Sequence, residues 1–271
     1  MANLLAFQPG ETIAAVLAIH DYEAAPYLVL ATERGLVKKT RLAEFDSPRS
    51  GGVIAINLRD GDHLVGAGLV DNVDDLLLVS RKGQSARFAA DDTQLRPMGR
   101  ATSGVTGMKF RSEDSLLSMS VIPAGTDPDV FVVFESGLAK RSKASEWSRK
   151  GRGILGVAVA KLSERGGDLV GALTVSADDE VLVVMEKGNI VRSRVDEVRL
   201  TGRNTMGVSF ATPRTGDAIV AVARSEAAAE VDAEVEAEGD SDGAPEVSEA
   251  DAVVSDQDTG SVDPTDSGGE E

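Results

Sequence analysis

Short apolar runs recur along the chain, and each is followed by a glycine and then by a polar stretch that ends in basic residues. The runs are rich in Val, Leu, Ile and Phe, as in Val130-Phe-Val-Val-Phe134, and they are bounded by Gly, Asp and Ser. Runs of this kind are typical of β-strands, and residues 1–225 contain no long stretch of helical periodicity. The pattern therefore predicts a β-strand body with almost no helix.

The runs belong to a repeated unit. Each unit has a hairpin glycine after its first run, then an Arg-Gly element, and then an acidic residue that opens a closing apolar run. The hairpin glycines are Gly35, Gly83, Gly137 and Gly188, which are 48, 54 and 51 residues apart. The Arg-Gly elements begin at Arg49, Arg100, Arg152 and Arg203, and the closing acids are Asp62, Asp114, Asp168 and Asp217. The four units are predicted near residues 27–67, 76–118, 130–172 and 181–222.

This period predicts the architecture. Units of a few strands cannot bury their faces alone and must pack on one another, and an all-β period of ~50 residues suits radially arranged propeller blades, whereas solenoid repeats are usually shorter. The hairpin glycines are expected at turn positions with positive φ. A further closing run begins at Glu11, which predicts a partial first unit over residues 1–20 and an upstream half-unit that this chain lacks.

The net charge of −17 comes from one end of the chain. Residues 226–271 hold 17 of the 45 acidic residues and no Lys or Arg, so 28 acids accompany 28 bases in residues 1–225. This acidic tail has no aromatic residue and is predicted to be disordered. Two roles for it stay open: a solubilising extension, or an internal polyanion that competes for a basic surface.

The composition excludes several kinds of chemistry. The absence of cysteine removes disulfides, thiolate metal sites and cysteine nucleophiles, and only two histidines remain. No apolar run is long enough for a membrane span, which predicts a cytoplasmic protein without a membrane partner. Gly151-Arg-Gly153-Ile-Leu-Gly156 matches the dinucleotide-binding pattern, but no strand precedes it and no helix follows it. We therefore expect no catalytic residue, no metal and no bound cofactor.

Basic residues recur on or just beyond each glycine hairpin. If equivalent positions share one rim of a propeller, they form a periodic belt of positive charge that can hold bent duplex DNA by its phosphates without reading bases. The alternative is that strand-terminal Lys and Arg only protect edges from aggregation. Together with the Arg-Gly arginines, the predicted DNA-binding residues are Lys38, Lys39, Arg41, Arg49, Arg81, Lys82, Arg87, Arg100, Lys140, Arg141, Lys143, Arg152, Lys187, Arg192, Arg194 and Arg203.

The hairpin, its basic end and the Arg-Gly element, with segments such as Arg96-Pro-Met-Gly-Arg-Ala-Thr-Ser-Gly-Val105, resemble the C-terminal domain of DNA gyrase A. The corresponding domain of topoisomerase IV is the near relative. The resemblance covers about residues 2–224. It implies a β-pinwheel whose blades bind and wrap double-stranded DNA independently of sequence. Its implied partners are the rest of gyrase A and the ATPase polypeptide, gyrase B, in an ATP-dependent, nucleoid-associated topoisomerase that introduces negative supercoils.

The family's box of the form Gln-Arg-Arg-Gly-Gly-Lys-Gly has no full copy in this chain. The nearest segment keeps Arg152, Gly153 and Gly156, and it is either a degenerate box or only the connector of the third unit. The family's catalytic tyrosine region is also missing, so the resemblance implies that ATP and Mg²⁺ are bound elsewhere in the holoenzyme. The competing hypothesis is a propeller-like scaffold for protein partners that does not bind DNA.

Overall fold

Four antiparallel sheets contain every strand of the described residues. The computed structural model describes residues 10–48, 51–111, 113–161 and 166–225. In chain order the strands are β1 (Tyr27–Thr32), β2 (Leu36–Arg41), β3 (Leu64–Val70), β4 (Asp75–Ser80), β5 (Gln84–Ala89), β6 (Val105–Thr106), β7 (Leu116–Ile122), β8 (Asp129–Phe134), β9 (Leu138–Lys143), β10 (Val157–Ala158), β11 (Leu169–Val175), β12 (Glu180–Met185), β13 (Ile190–Arg194), β14 (Val208–Ser209) and β15 (Ile219–Ser225).

The predicted β-rich body is confirmed. The described residues contain no α-helix, and their helical structure is limited to 3-10 turns at Leu42–Phe45, Ala144–Glu146 and Val195–Glu197. Residues 1–9 and the acidic tail, residues 226–271, lie outside the described residues, so the prediction of a disordered tail stays a prediction.

Each unit forms one blade of a four-bladed, propeller-like arrangement. The sheet orders are β3-β1-β2-β6, β7-β4-β5-β10, β11-β8-β9-β14 and β15-β12-β13, which we number blades 1 to 4. The strands formed by the closing runs of the four units, β3, β7, β11 and β15, pack on one another in succession: β3 on β7, β7 on β11 and β11 on β15. They form the inner edges of the blades, and we call the opposite edges, which carry β6, β10 and β14, the outer edges.

The hairpins form as the glycines predict. Gly35 donates its backbone N–H to the carbonyl of Thr32 at 2.8 Å, and the equivalent bond recurs at Gly83, Gly137 and Gly188. All four glycines have φ between +75° and +85°. This is a tight turn closed by a residue in the left-handed region, which glycine adopts without steric cost.

The core lies between the blades. In β4, Leu76 and Leu78 face a cluster shared with blade 1, while Leu77 and Val79 face a cluster shared with blade 3. β8 alternates in the same way, with Phe131 and Val133 directed toward blade 4. Since successive side chains of a strand point to opposite faces, an unbroken apolar run is what a strand buried on both faces requires.

Neighbouring blades are also joined by backbone hydrogen bonds near the hairpin turns. The N–H of Leu116 donates to the carbonyl of Glu33 at 2.8 Å, and that of Leu169 donates to the carbonyl of Arg81 at 2.9 Å. Each of these inner strands therefore begins on the hairpin turn of the preceding blade. Successive blades are thereby held in one continuous stack.

Candidate nucleic-acid interface

The outer edge of each of the first three blades is covered by the connector of the next unit. After β5 the chain crosses to blade 1, where Met98 donates its N–H to the carbonyl of Lys39 at 2.7 Å and β6 pairs with β2. The following connectors repeat this crossing, so that β10 pairs with β5 and β14 pairs with β9. The connectors are therefore the outermost segments of the stack.

These connectors carry positive charge without acidic residues. Residues 96–111 and 147–161 each hold four Lys or Arg, residues 199–214 hold three, and none of the three segments contains Asp or Glu. We call these segments the basic connectors. Their charge pattern is visible in the sequence as three acid-free windows one repeat apart. The sequence prediction did not include this charge pattern, because it was based mainly on the basic residues near the hairpin glycines.

Most of these bases are free to meet a ligand. Within the described residues, seven of them are exposed and have no carboxylate partner: Arg96, Lys109, Arg111, Lys150, Lys161, Arg199 and Arg214. Arg149 is exposed as well, but its Nε contacts Asp75 Oδ1 at 2.8 Å. An unpaired exposed cation can exchange its counterions for a phosphate, so these seven side chains define the candidate interface.

The arginines of the Arg-Gly elements tie each connector to its neighbour. Arg152 donates from Nε to the carbonyl of Gln94 at 2.5 Å and from Nη1 to the carbonyl of Thr106 at 3.0 Å. At the equivalent position, Arg203 Nη1 donates to the carbonyl of Ala158. These guanidinium groups donate to backbone carbonyls on or beside the preceding connector, so they join adjacent connectors.

The segment with the reduced box motif is a connector. Gly153 donates its N–H to the carbonyl of Gly107 at 2.6 Å, and a Cβ on Gly156 would lie 2.3 Å from the carbonyl oxygen of Ser85. Gly104 occupies the same position one unit earlier, where a Cβ would lie 2.6 Å from the carbonyl oxygen of Val37. Gly156 therefore allows the connector to approach the preceding blade closely, whereas a Cβ on Gly153 would lie 3.6 Å from its nearest neighbour, the carbonyl oxygen of Thr106.

Three of the predicted DNA-binding lysines are buried. Lys38 and Lys39 are 0% exposed and Lys140 is 2% exposed. Lys38 and Lys140 donate to backbone carbonyls, and Lys39 contacts Asp92 at 2.9 Å. A side chain without exposed surface has no access to a phosphate, so the prediction that these three residues contact DNA is corrected: they lie inside the outer edge because the next connector covers them.

Most of the other hairpin bases are neutralised by carboxylates. Arg87 contacts Asp75 at 2.7 Å, and Asp129 forms ion pairs with Arg141 at 3.6 Å and with Lys143 at 2.7 Å. The remaining pairs are Lys82 with Asp168, Arg192 with Glu180 and Arg194 with Asp196. The hydrogen bond with Asp168 raises the pKa of Lys82, and the bond from Arg194 lowers the pKa of Asp196.

The hairpin bases do not share a single rim as the sequence led us to expect. Arg81 and Lys187 lie at the hairpin turns, whereas Arg41 lies at the far end of β2 and stands 5.9 Å from the ring centroid of Tyr27. A strand of six residues separates these two ends by roughly 20 Å. Arg41, Arg81 and Lys187 are exposed and have no described carboxylate partner, and Arg49 lies outside the described residues.

The closing acids have a structural role that the sequence did not reveal. Asp62 Oδ1 accepts the backbone N–H of Arg34, and Asp114 Oδ1 accepts that of Lys82, at 3.0 and 2.9 Å. Asp217 does the same for Lys187 in blade 4. These carboxylates lie beside the hairpin turns, so the turn bases stand among acids, whereas the basic connectors themselves contain no Asp or Glu.

Burial lowers the pKa of two lysine ammonium groups. Desolvation brings the pKa of Lys38 and of Lys140 from the ordinary 10.5 to about 8, with opposing contributions from Glu44 and Glu146 and a further lowering from Arg100 and Arg203. Since the unfolded chain then binds more protons between pH 8 and 10.5, the free energy of unfolding rises with pH across this interval.

We expect Lys140→Met to remove part of this rise. Relative to the variant, the original chain should gain on the order of 2 kcal/mol in free energy of unfolding between about pH 8 and pH 10.5, after allowance for screening by water. Urea denaturation of both proteins at several pH values measures the difference. A difference that does not change with pH would contradict the lowered pKa of Lys140.

Two further side chains, Trp147 and His63, differ in packing and exposure. Trp147 is 2% exposed and donates its Nε1–H to Ser85 Oγ at 2.8 Å, so it is a packing residue. His63 is exposed. Among the described residues, no group of three His, Cys, Asp or Glu is arranged to hold a metal ion. No helix in the described part of the chain is long and apolar enough to cross a membrane.

The fold and the interface define a class of protein: a β-propeller repeat domain with acid-free basic segments along its outer edges. The family model described as "DNA gyrase C-terminal domain, beta-propeller" matches residues 26–71, 74–123, 129–176 and 179–226, one match for each blade. The chain belongs to this family.

Similar proteins named as DNA gyrase A polypeptides support this family membership. The chain is 58% identical over 230 residues to the DNA gyrase A polypeptide of Streptomyces coelicolor and 52% identical over 225 residues to that of Mycobacterium tuberculosis, covering 83% of this chain and 27% of each relative. The chain thus spans about a quarter of the length of these relatives.

Two solved structures have the same fold. A DNA gyrase A C-terminal domain aligns with TM-score 0.64 and 29% identity, covering 73% of this chain and 65% of the other. The C-terminal domain of a DNA topoisomerase IV aligns with TM-score 0.75 and 25% identity, covering 83% and 69%. The expected resemblance to the gyrase family and the propeller-like fold are therefore confirmed.

Proposed function

We propose that this chain is a domain that binds and bends double-stranded DNA through its phosphates, without reading the base sequence. The observation that carries the proposal is the set of three basic connectors, which lie on successive outer edges and contain no acid. Cations repeated at equal steps along a stack can neutralise phosphates along a curved duplex, since DNA binding of this kind draws its energy from counterion release and deformability.

We propose further that the domain works as the C-terminal part of a gyrase A polypeptide. Its partners are then the remainder of gyrase A and the ATPase polypeptide, gyrase B, and its task is to wrap DNA for ATP-dependent negative supercoiling. The support is the family membership and the name of the relatives that the chain matches. In this proposal the chain is not catalytic by itself, ATP and Mg²⁺ are bound elsewhere in the holoenzyme, and the protein works in the cytoplasm on the nucleoid.

Salt dependence of DNA binding tests the first proposal. We expect the full chain to bind a duplex of ~150 base pairs with an affinity that falls steeply between about 50 and 300 mM salt, with a slope of log K against log salt near −6 if all seven unpaired connector cations contact phosphates. Fluorescence anisotropy with a labelled duplex measures both quantities. Absence of binding at low salt would contradict the proposal and favour a scaffold for protein partners.

A further inference from the structure

Two buried ammonium groups lie directly beneath the basic connectors without an ion-pair partner. Lys38 Nζ donates to the backbone carbonyls of Ala55 and Arg100. Lys140 Nζ donates to the carbonyl of Arg203 at 2.7 Å and to Ser142 Oγ at 2.6 Å, and it lies 3.5 Å from the carbonyl of Val159. Within the described residues neither lysine has a carboxylate within ion-pair distance. Burying an ammonium group without an ion-pair partner costs free energy, so the set of acceptors around each of these lysines requires an explanation.

The two lysines make the same contacts in two different blades. Each follows its hairpin glycine by three residues, as Lys38 follows Gly35 and Lys140 follows Gly137. Each contacts the carbonyl of a residue that lies three positions after the connector glycine of its own unit, which is Ala55 for Lys38 and Val159 for Lys140. Each also contacts the carbonyl of the arginine in the Arg-Gly element of the next unit. Each ammonium therefore joins two consecutive connectors from below.

The other two units lack this lysine. The equivalent positions hold Ala86 and Val191. Where Ala86 stands, the two connectors meet directly, because Gly153 donates its N–H to the carbonyl of Gly107 at 2.6 Å. At the junctions of units 1 with 2 and 3 with 4, the N–H of Asn57 donates to the carbonyl of Thr102 and that of Lys161 to the carbonyl of Thr205, both at 3.0 Å, so each lysine adds a side-chain bridge to a backbone contact.

Each segment that the lysines hold presents one exposed arginine to solvent. Residues 96–104 present Arg96 and residues 199–207 present Arg199, whereas Arg100 and Arg203 are half-buried. A loop fixed in its binding conformation loses less entropy when it takes up a ligand, which improves affinity without any new contact. The ammonium charge behind the loop also adds to the positive field that faces a phosphate.

We propose that Lys38 and Lys140 are positioning residues for DNA binding, which act by holding the arginine loops 96–104 and 199–207 against the preceding connector. The inference rests on the proposed DNA-binding function. It differs from the belt expected from the sequence, because the lysines act through the loops and touch no phosphate.

Methionine variants test the inference in the full chain. We expect Lys38→Met and Lys140→Met each to weaken binding of a ~150 base-pair duplex by roughly 3- to 10-fold, while the slope of log K against log salt stays unchanged. A lost phosphate contact would instead reduce the slope by about 0.9. Backbone amide exchange should become faster in residues 100–104 for Lys38→Met and in residues 203–207 for Lys140→Met.

Lys39→Met is the matched control. Lys39 is buried on the same strand as Lys38, but its ammonium contacts Asn72, the carbonyl of Ala90 and Asp92 and does not contact an arginine loop. Its substitution should leave exchange in residues 100–104 unchanged. If a methionine variant does not fold, the glutamine variant at the same position, whose neutral amide keeps two N–H donors, is measured in its place.

The outcomes separate the two proposals. Folded Lys38 and Lys140 variants with unchanged affinity and unchanged loop exchange would overturn the positioning role and leave the DNA-binding proposal intact. Faster amide exchange of residues 100–104 in the Lys39→Met control would also overturn the positioning role. If the original chain does not bind DNA, the proposed function fails, and loop exchange alone then decides whether the lysines hold the loops.

Discussion

Gly137→Ala should lower the free energy of unfolding by about 4 kcal/mol or more, or prevent blades 3 and 4 from folding. A Cβ on Gly137 would lie 1.5 Å from the carbonyl oxygen of Ala211, and the residue has φ +85°. The same turn accepts the N–H groups of Phe210 and Ala211 through its own carbonyl, at 3.0 and 3.1 Å. The connector of unit 4 must therefore move away from blade 3.

Gly188→Ala is the control for this prediction. Gly188 is the equivalent hairpin glycine of blade 4 and has φ +84°, but no heavy atom lies within 4 Å of a Cβ built on it. Its substitution should therefore cost only the strain of the left-handed conformation, about 1 to 2 kcal/mol. Chemical denaturation of both variants measures the difference. Equal losses would show that the close approach of the connector contributes nothing to stability.

The triple variant Arg96→Gln, Lys150→Gln, Arg199→Gln should weaken DNA binding by roughly 100-fold at about 100 mM salt. These three residues stand one on each basic connector, all are exposed, and within the described residues none is paired with a carboxylate. If each contacts one phosphate, the magnitude of the salt slope should fall by about 2 to 3. Anisotropy titrations at several salt concentrations measure the affinity and the slope together.

A second triple variant removes the same charge elsewhere. Arg41→Gln, Arg81→Gln, Lys187→Gln substitutes the exposed hairpin bases that have no described carboxylate partner. The account predicts a loss of only a few-fold, from the reduced long-range field. A loss equal to that of the connector variant would place DNA on the hairpins, where the sequence first suggested it.

The positions of the strands and their burial could be predicted from the sequence because they depend on local patterns. The apolar run of β4 has no polar alternation, and its side chains face two clusters. The hairpin glycines occupy the positive-φ turn position that their place between two strands implies. In these cases neighbouring residues alone determine the structure.

The burial of Lys38 could not be predicted in this way. Its ammonium contacts the carbonyl of Arg100, 62 residues further along the chain, because that connector crosses back onto the preceding blade. A basic residue at a strand end looks exposed until the segment that covers it is known. The exposed or buried state of a strand residue depends on its non-local neighbours.

The pairing of the hairpin bases depends on register. Asp75 opens β4 and stands opposite Ala89, near the end of β5 where Arg87 projects. Asp129 stands opposite Lys143 in the same way. The repeat contained this information, since acids at the start of one strand recur with bases at the end of the next. Counting bases without their cross-strand partners overestimated the positive charge of the hairpins.

Protection of lysines from acetylation by bound DNA tests the central claim most directly, because it shows which surface the duplex covers. The full chain is treated with an acetylating reagent with and without a ~150 base-pair duplex at low salt, and modification is measured for each lysine by mass spectrometry. The account predicts that DNA protects Lys109, Lys150 and Lys161 on the basic connectors and leaves Lys187 at its hairpin turn as reactive as before. Protection of Lys187 with the connector lysines still reactive would contradict it.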